Sequence, residues 1–347
     1  MKIIIVSGSL NRGGAERVIS ILSGELVKRG WDVTILTILS NKCGYQLNPK
    51  IKVRDLSRKG SFFLVPRLAK AVRKVIIEQK PDAVVSFMIA VNIVTWLATR
   101  GLDIKFIPSE RNDPSIGRRL TFKIMQNIVY RTSTKTVFQT ERAKKFFSEK
   151  IQKNSVIIHN PVTVKTYAQD KRDTKIVSIG RLEPQKNQKL LIDAFAEIHK
   201  KHPDYKLDIY GEGSLKDALT EQIKELGLHE VVQLRGNHNN VHEQISNAAF
   251  FVLTSNFEGQ SNALLEAMMM GIPCISTNCC GAEDVIVNGI SGLLIHIGEK
   301  DELVEAMEKM ITNQKEANIM GTKGMQIICK EYNTESIVDQ WESLLKH

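Results

Sequence analysis

The chain has 347 residues, of which 42% are hydrophobic and 25% charged, and its formal net charge is +10 at pH 7. This length predicts two domains, and the balanced composition excludes a low-complexity or fibrous chain. The five cysteines show no CxxC spacing, which favours a reduced, cytosolic protein. The longest apolar stretch, residues 83–98, is interrupted by polar residues and falls short of the ~20 residues that a spanning helix needs. The apolar run after Lys2 is too short for a signal peptide, so we predict neither a leader nor a transmembrane segment.

Strands and helices alternate from the first residue. Residues 1–6 form an apolar run typical of a buried parallel strand, and residues 11–14 form a loop. Residues 15–29 carry apolar side chains at helical spacing, and residues 31–39 predict the next strand. Such a βαβ unit predicts an open, mostly parallel sheet covered by helices.

The same alternation restarts near residue 174, after a polar stretch that contains Pro161. Residues 174–180 predict a strand that ends in glycine, and residues 188–200 predict a helix. The second half is therefore predicted to be a second Rossmann-like domain. Because ligands of doubly wound domains bind at the carboxyl ends of the strands, the chemistry is expected on loops that follow strands.

The first such loop carries the sequence NRGGAE at residues 11–16 and opens a helix. Gly13 and Gly14 allow close approach of the backbone to a ligand, and a helix N-terminus favours an anion. The glycine spacing is not that of a dehydrogenase fingerprint. The alternative is an ordinary tight turn.

The second loop, residues 180–187, carries Arg181 and Lys186 ahead of a helix. Two fixed cations in a cleft can clamp a diphosphate and stabilise it as a leaving group. The alternative is a pair of solvated surface cations.

The third loop, residues 257–266, carries two glutamates eight residues apart. Glu258 lies on the loop, and Glu266 lies about two turns into the following helix. Residues 259–263 offer consecutive backbone N–H groups at the helix N-terminus, where an anion can bind. The alternative is that the helix dipole simply favours acidic residues near the helix N-terminus. This would explain Glu258 but not Glu266, which lies past the first turn.

These motifs together resemble glycosyltransferase family 4, the retaining GT-B enzymes, of the type found in bacterial surface-polysaccharide synthesis. The resemblance is carried by the GGAER turn (residues 13–17), the GRL-x3-K loop (residues 180–186) and the E-x7-E pair Glu258/Glu266. Supporting motifs are GEGSL, LRG, GIP and NGISGLL, at residues 211–215, 234–236, 271–273 and 288–294. The resemblance covers nearly the whole chain.

The resemblance implies an α/β GT-B fold, in which two Rossmann-like doubly wound domains face a central cleft. We predict an acceptor-binding N-terminal domain (1–160), a linker (161–173), a nucleotide-sugar-binding C-terminal domain (174–333) and a C-terminal helix (334–347) that could pack back on the first domain.

The resemblance also implies residue roles. Arg181 and Lys186 correspond to the diphosphate clamp and Glu258 to the ligand of the donor sugar near the reacting carbon; we assign these three to catalysis. Glu266 corresponds to the ribose ligand, and Gly14 to the backbone approach that completes the phosphate site. Residues assigned to donor binding are Gly13, Gly14, Arg235, Gly259, Gln260, Ser261, Asn262, Ala263 and Glu266.

The chain departs from the family at one position. Many relatives carry a histidine after a strand of the first domain, where this chain has Arg111 in the sequence PSERND (residues 108–113). An arginine cannot act as a base at neutral pH. We therefore predict that Arg111, together with Glu110, binds the acceptor, with Arg111 contacting an acceptor phosphate.

No cofactor and no metal are expected, because the chain has no DxD triplet and the cations can replace Mg²⁺. The predicted reaction is transfer of a sugar, a hexose or N-acetylhexosamine, from a UDP-sugar to a glycan or a polyprenyl-diphosphate-linked glycan, with retention of configuration. The alternatives are a GT-B sugar-nucleotide epimerase and a non-catalytic nucleic-acid-binding protein. Few aromatic residues interleave the cations, so we predict no nucleic-acid partner.

Charge is unevenly distributed along the chain. Residues 1–160 hold 29 basic and 11 acidic residues, whereas the remainder is net acidic. Residues 62–80 and 118–131 predict helices with basic and apolar sides, which can lie on an anionic membrane. We therefore predict a cytoplasmic protein that associates peripherally with the inner face of the cell membrane. The alternative is that both apolar sides pack inside the domain.

Overall fold

A computed structural model describes residues 1–11, 13–57, 65–117, 119–163, 172–238, 240–279 and 281–346. The chain divides into two compact units, residues 1–161 with 334–347 and residues 162–333. The predicted linker, residues 161–173, lies outside the described residues from 164 to 171. No helix in these described ranges combines the length and apolar character needed to cross a membrane.

The first unit is built on a seven-stranded sheet in the order β3-β2-β1-β4-β5-β6-β7. All neighbouring strands pair in parallel, so every connection must cross over the sheet. The strands are β1 Lys2–Ser7, β2 Asp32–Thr37, β3 Lys52–Asp55, β4 Ala83–Phe87, β5 Lys105–Ser109, β6 Thr136–Phe138 and β7 Ser155–Ile157. The helices are α1 Gly14–Lys28, α2 Val65–Gln79, α3 Ile89–Thr99, α4 Leu120–Thr132, α5 Glu141–Lys145 and α6 Glu149–Lys153.

The second unit is built on a six-stranded parallel sheet in the order β10-β9-β8-β11-β12-β13. Its strands are β8 Lys175–Ile179, β9 Lys206–Tyr210, β10 Val232–Gly236, β11 Phe250–Leu253, β12 Cys274–Thr277 and β13 Leu293–Ile295. Its helices are α7 Gln188–Lys201, α8 Lys216–Glu225, α9 Val241–Ile245, α10 Asn262–Met269, α11 Lys300–Thr312 and α12 Gln314–Glu331. Both sheets have the strand order of doubly wound domains, which confirms the predicted fold class.

The last helix, α13 (Thr334–Lys346), belongs to the first unit. Its apolar residues Ile337, Val338, Trp341 and Leu345 are fully buried in the same core as the apolar side of α1. At the edge of this contact, Glu342 accepts hydrogen bonds from Arg29 at 2.8 Å and from the Trp31 indole at 3.1 Å. Burial of one apolar face therefore fixes the C-terminal helix on the first sheet's unit.

Candidate active site

Two predicted motifs meet where the strand order of the second sheet reverses. Strands β8 and β11 are neighbours, and from them the chain proceeds outward in opposite directions. The loops that follow these two strands therefore start side by side at the carboxyl edge of the sheet, where doubly wound domains bind ligands. The first loop carries residues 180–187 and the second carries residues 254–261.

The two loops are joined by hydrogen bonds along their length. The Thr254 hydroxyl donates to the carbonyl of Lys186 at 3.0 Å. The Asn256 backbone amide donates to the carbonyl of Gln185 at 2.8 Å, and its side chain donates to the carbonyl of Pro184 at 3.0 Å. Side chains on the two loops are consequently held in fixed positions relative to each other.

The predicted clamp lysine and the predicted sugar-binding glutamate form an ion pair. The Lys186 ammonium contacts the Glu258 carboxylate, and the two side chains are only 14% and 10% exposed. The Ser255 hydroxyl donates a second hydrogen bond to the same carboxylate at 2.8 Å. Because both side chains are largely buried, solvent screens the attraction between their charges only a little. The ion pair therefore holds both groups at the carboxyl edge of the sheet.

Arg181 lies on the same loop as Lys186 and is exposed. Its Nη2 donates to the Gln185 side-chain oxygen at 3.2 Å, and within the described ranges no carboxylate lies in salt-bridge distance of it. The guanidinium therefore keeps donors available for an anionic ligand.

Two glycines of the GEGSL motif support the clamp loop through direct backbone contact. A Cβ atom at Gly211 would lie 2.0 Å from the carbonyl oxygen of Gly180, and one at Gly213 would lie 2.3 Å from that of Leu182. Any side chain at these positions would displace the loop that carries Arg181. This motif is therefore structural support for the site.

The second predicted glutamate lies on α10. Ser261 caps this helix, and its hydroxyl accepts a hydrogen bond from the Leu264 amide at 3.4 Å. Glu266 lies just over one turn into α10, which begins at Asn262, and not two turns as predicted. It is 6% exposed and pairs with the His242 imidazole at 2.9 Å. The five residues at the helix start, Gly259, Gln260, Ser261, Asn262 and Ala263, place backbone amides at the positive end of the helix dipole.

Arg235 is not brought to these loops. It lies on the edge strand β10, and its Nε pairs with the Asp208 carboxylate at 3.0 Å. Both residues line a cavity of about 250 Å³ with Lys175, Lys206 and Gln233, and none of the residues predicted for catalysis lines it. Arg235 therefore lies apart from the loops of Arg181, Lys186 and Glu258, with its side chain directed at a neighbouring strand, and its assignment to donor binding stays a prediction.

The glycine turn of the first unit begins α1. Gly13 is the N-cap residue, and the Tyr45 hydroxyl contacts both its amide (3.1 Å) and its carbonyl (2.8 Å). Gly14 is the first residue of the helix. Arg12, in the same turn, lies outside the described residues. The turn thus has the predicted strand–turn–helix context.

Glu110, predicted to bind the acceptor, is enclosed in the first unit. Its carboxylate accepts hydrogen bonds from Gln126 at 2.7 Å, from the Tyr130 hydroxyl at 2.8 Å, and from the backbone amides of Arg111 and Asn112 at 3.2 Å. Burial, followed by the charge of Glu110, raises the pKa of Tyr130 and keeps its hydroxyl a donor. Glu110 is 1% exposed and orders the loop after β5.

Arg111 is likewise buried, at 5% exposure. Its Nη1 donates to the Asn160 side chain at 2.8 Å, and its guanidinium carbon lies 5.0 Å from the Phe87 ring centre and 5.7 Å from that of Trp341. Burial lowers the pKa of the guanidinium to about 9, so it stays protonated at neutral pH. Direct acceptor contact by Glu110 and Arg111, as predicted from the sequence, does not fit this arrangement, because neither side chain faces solvent.

Three further residues contact the two glutamates of the site and belong to no motif in the sequence. Ser255 and Gln185 contact the Glu258 carboxylate, and His242 pairs with Glu266. The only signal for them was position, because each lies on a segment that follows a parallel strand. Their polar side chains gave no motif of their own.

The fold and this pair of loops define a glycosyltransferase of the GT-B class. The family model for glycosyl transferases group 1 matches residues 162–327, and the model for glycosyltransferase family 4 matches residues 12–166. The two models together cover most of the chain, which therefore belongs to the family 4 glycosyltransferases. The protein is an enzyme.

Similar proteins cover most or all of the chain. It is 26% identical to the GalNAc-α-(1→4)-GalNAc-α-(1→3)-diNAcBac-PP-undecaprenol α-1,4-N-acetyl-D-galactosaminyltransferase of Campylobacter jejuni, over 99% of this chain and 98% of that protein. It is 28% identical to the N-acetylgalactosamine-N,N′-diacetylbacillosaminyl-diphospho-undecaprenol 4-α-N-acetylgalactosaminyltransferase of the same organism, over 88% and 89%. The crystal structure of Anabaena HepE in complex with UDP superposes with a TM-score of 0.85 at 19% identity, over 100% of both chains.

Proposed function

We propose that this enzyme transfers a hexose or N-acetylhexosamine from a UDP-sugar to a glycan or a polyprenyl-diphosphate-linked glycan, with retention of configuration and without a metal ion. The observation that carries the proposal is the convergence of two cations and a carboxylate, Arg181, Lys186 and Glu258, on two hydrogen-bonded loops at the reversal point of the second sheet. The UDP complex of HepE and the undecaprenol-linked substrates named for the Campylobacter relatives support the donor and acceptor classes.

In this proposal each group has a distinct task. Arg181 and Lys186 bind the diphosphate and stabilise the charge that develops as it leaves. Glu258 binds hydroxyls of the donor sugar, and Glu266 binds the ribose hydroxyls. The leaving phosphate oxygen accepts the proton of the attacking hydroxyl on the same face of the sugar, so configuration is retained and no side-chain base is needed.

Calorimetric titration with UDP tests the site. We expect wild-type protein to bind UDP and Glu266→Gln to bind it more weakly, because an amide loses the charge-assisted hydrogen bonds to the ribose. Equal UDP affinity in both proteins would contradict the placement of the nucleotide on α10.

Activity is expected to persist when divalent ions are removed. The two cations of the clamp supply the charge stabilisation that Mg²⁺ gives to other nucleotide-dependent transferases. UDP release would be measured in EDTA and again with added Mg²⁺ or Mn²⁺. Complete loss in EDTA, restored by either ion, would show that the reaction depends on a metal.

We further propose that the protein associates with anionic membranes from the cytoplasmic side through α4. Three apolar side chains on this helix, the α4 stripe, are exposed at four-residue spacing: Leu120 (72%), Ile124 (51%) and Ile128 (38%). Three exposed basic residues, the α4 cations, accompany them: Arg119, Lys123 and Arg131. Such a helix can place its apolar stripe among lipid chains and its cations at the headgroups.

The other helix predicted to contact the membrane does not offer an apolar face. The apolar side of α2 is buried within the first unit, at Leu68, Ala69, Val72, Val75 and Ile76. This part of the membrane prediction is wrong, because the helix buries its apolar side within its own unit, where it packs against α3. Residues 62–64 and Arg118, which belonged to the same prediction, lie outside the described residues.

Vesicle co-sedimentation tests the α4 surface. Wild-type protein should bind vesicles containing phosphatidylglycerol and be released by salt, since each cation near an anionic leaflet contributes about 1 kcal/mol. Replacing the α4 cations with alanine, or the α4 stripe with serine, should reduce binding. The matched control replaces three exposed cations of α2, Arg67, Lys70 and Lys74, and should retain more binding. If the α4 and α2 variants bind alike, α4 is not the contact surface.

A further inference from the structure

One side chain lies between the predicted clamp and the predicted sugar-binding carboxylate. The Gln185 side-chain oxygen accepts a hydrogen bond from Arg181 Nη2 at 3.2 Å. Its Nε2 donates to the carbonyl of Phe257 at 2.9 Å and lies 3.5 Å from the Glu258 carboxylate. A single half-buried amide thus spans the clamp loop and the glutamate loop.

Both ends of this amide act on groups that would face the donor. Its carbonyl end restrains the Arg181 guanidinium, which is otherwise exposed and free to move through several rotamers. Its amino end fixes the peptide immediately before Glu258. Lys186 and Ser255 hold the Glu258 carboxylate from other directions.

We infer that Gln185 is a positioning residue of the transfer reaction, which sets Arg181 against the departing diphosphate and Glu258 against the donor sugar at the same time. The inference rests on the proposed function. Preorganised charge lowers the barrier only if it stays in place as the transition state forms, and misplacement by about 1 Å can cost about 10²-fold in rate.

An amide is the group that this position requires. The side chain must accept from a guanidinium at one end and donate to a carbonyl at the other, and glutamine does both. A carboxylate of the same shape would still accept from Arg181, but it would be repelled by Glu258 and by the Phe257 carbonyl oxygen. It would also neutralise Arg181, which has to bind a diphosphate.

Two near-isosteric substitutions test the inference. Gln185→Met removes both hydrogen bonds and should lower kcat/KM for the best UDP-sugar by roughly 10- to 10²-fold. Gln185→Glu should lower it at least as much at pH 8. Its activity relative to wild type should rise as the pH falls from 8 to 5, because the neighbouring Glu258 carboxylate favours the protonated form of the introduced carboxyl, which can again donate to the Phe257 carbonyl.

Gln222 offers a matched control in the same unit. It lies on α8, is half-buried as Gln185 is, and donates to the carbonyl of Lys189 at 3.1 Å and to the Asp193 carboxylate at 2.7 Å. Gln222→Met and Gln222→Glu should leave kcat/KM unchanged, and their activity relative to wild type should stay constant from pH 8 to 5. A role in folding alone would not distinguish the two positions in this way.

The outcome separates this inference from the proposed function. UDP affinity of Arg181→Ala is measured in parallel. If Arg181→Ala binds UDP weakly while both Gln185 variants behave as the Gln222 variants do, the inference is overturned and the proposed function stands. If Arg181→Ala binds UDP as wild type does, the clamp is not formed by these residues and both are overturned.

Discussion

Replacing Arg181 or Lys186 with alanine is expected to lower kcat/KM by on the order of 10²–10³. Each substitution removes a positive charge from the place where we propose that the diphosphate leaves. Lys186→Ala has an additional effect, because it removes the ion-pair partner of Glu258 and leaves a largely buried carboxylate with fewer donors. Steady-state kinetics with a UDP-sugar and measurement of UDP release would give the values.

The control for this pair is Lys189→Ala. Lys189 is an exposed cation in the first turn of α7, three residues after Lys186. In the part of the chain that the structure describes, it forms no ion pair with Glu258. It should retain wild-type activity. Unchanged turnover in both Arg181→Ala and Lys186→Ala would mean that the leaving group is stabilised elsewhere. Thermal unfolding should be little changed in Arg181→Ala, whose side chain is exposed.

Glu258→Gln is expected to lower kcat/KM by on the order of 10²–10³, while UDP affinity stays within a few-fold of wild type. The substitution keeps the shape of the side chain and an oxygen that can accept from Ser255, but it removes the charge that pairs with Lys186. A carboxylate that binds the donor sugar should affect the sugar-dependent step and leave binding of the nucleotide alone nearly unchanged.

Comparison with Glu266→Gln separates the two glutamates. Glu266 is buried on α10 and pairs with His242. Its replacement should lower the affinity for UDP itself. The opposite pattern, with UDP affinity lost in Glu258→Gln and retained in Glu266→Gln, would reverse the two assignments.

The fold follows from the sequence because its signals are local and repeated. Apolar runs such as residues 1–6 and 174–180 alternate with helical periodicities, and the structure has parallel strands at β1 and β8. The meeting of the loops after β8 and β11 follows from the same topology, since both loops leave the sheet at its carboxyl edge.

The contacts within the site could not be predicted in this way. Lys186 and Glu258 are 72 positions apart, and their ion pair depends on which strands are neighbours. The burial of Arg111 depends on Trp341, which a helix at the far end of the chain brings into the first unit. Neither pairing leaves a periodic signal in one sequence.

The two amphipathic helices of the first unit show a second limit of prediction from the sequence. In the sequence, α2 and α4 both combine cations with apolar residues at helical spacing. Only the packing distinguishes them, because α2 buries its apolar side within the first unit whereas the stripe of Leu120, Ile124 and Ile128 remains exposed. Amphipathicity predicts a buried face, but it does not identify what buries it.

The most direct test of the proposed function is to determine the product formed from a UDP-sugar and a polyprenyl-diphosphate-linked glycan. The protein would be incubated with UDP-N-acetylgalactosamine, UDP-N-acetylglucosamine or UDP-glucose, and the product identified by mass and by the anomeric coupling in its NMR spectrum. We predict release of UDP, a glycan longer by one sugar, and an α-linkage from an α-configured donor. A β-linked product would contradict retention. An epimerised or free sugar with no extension of the glycan would contradict the proposed transfer to this acceptor.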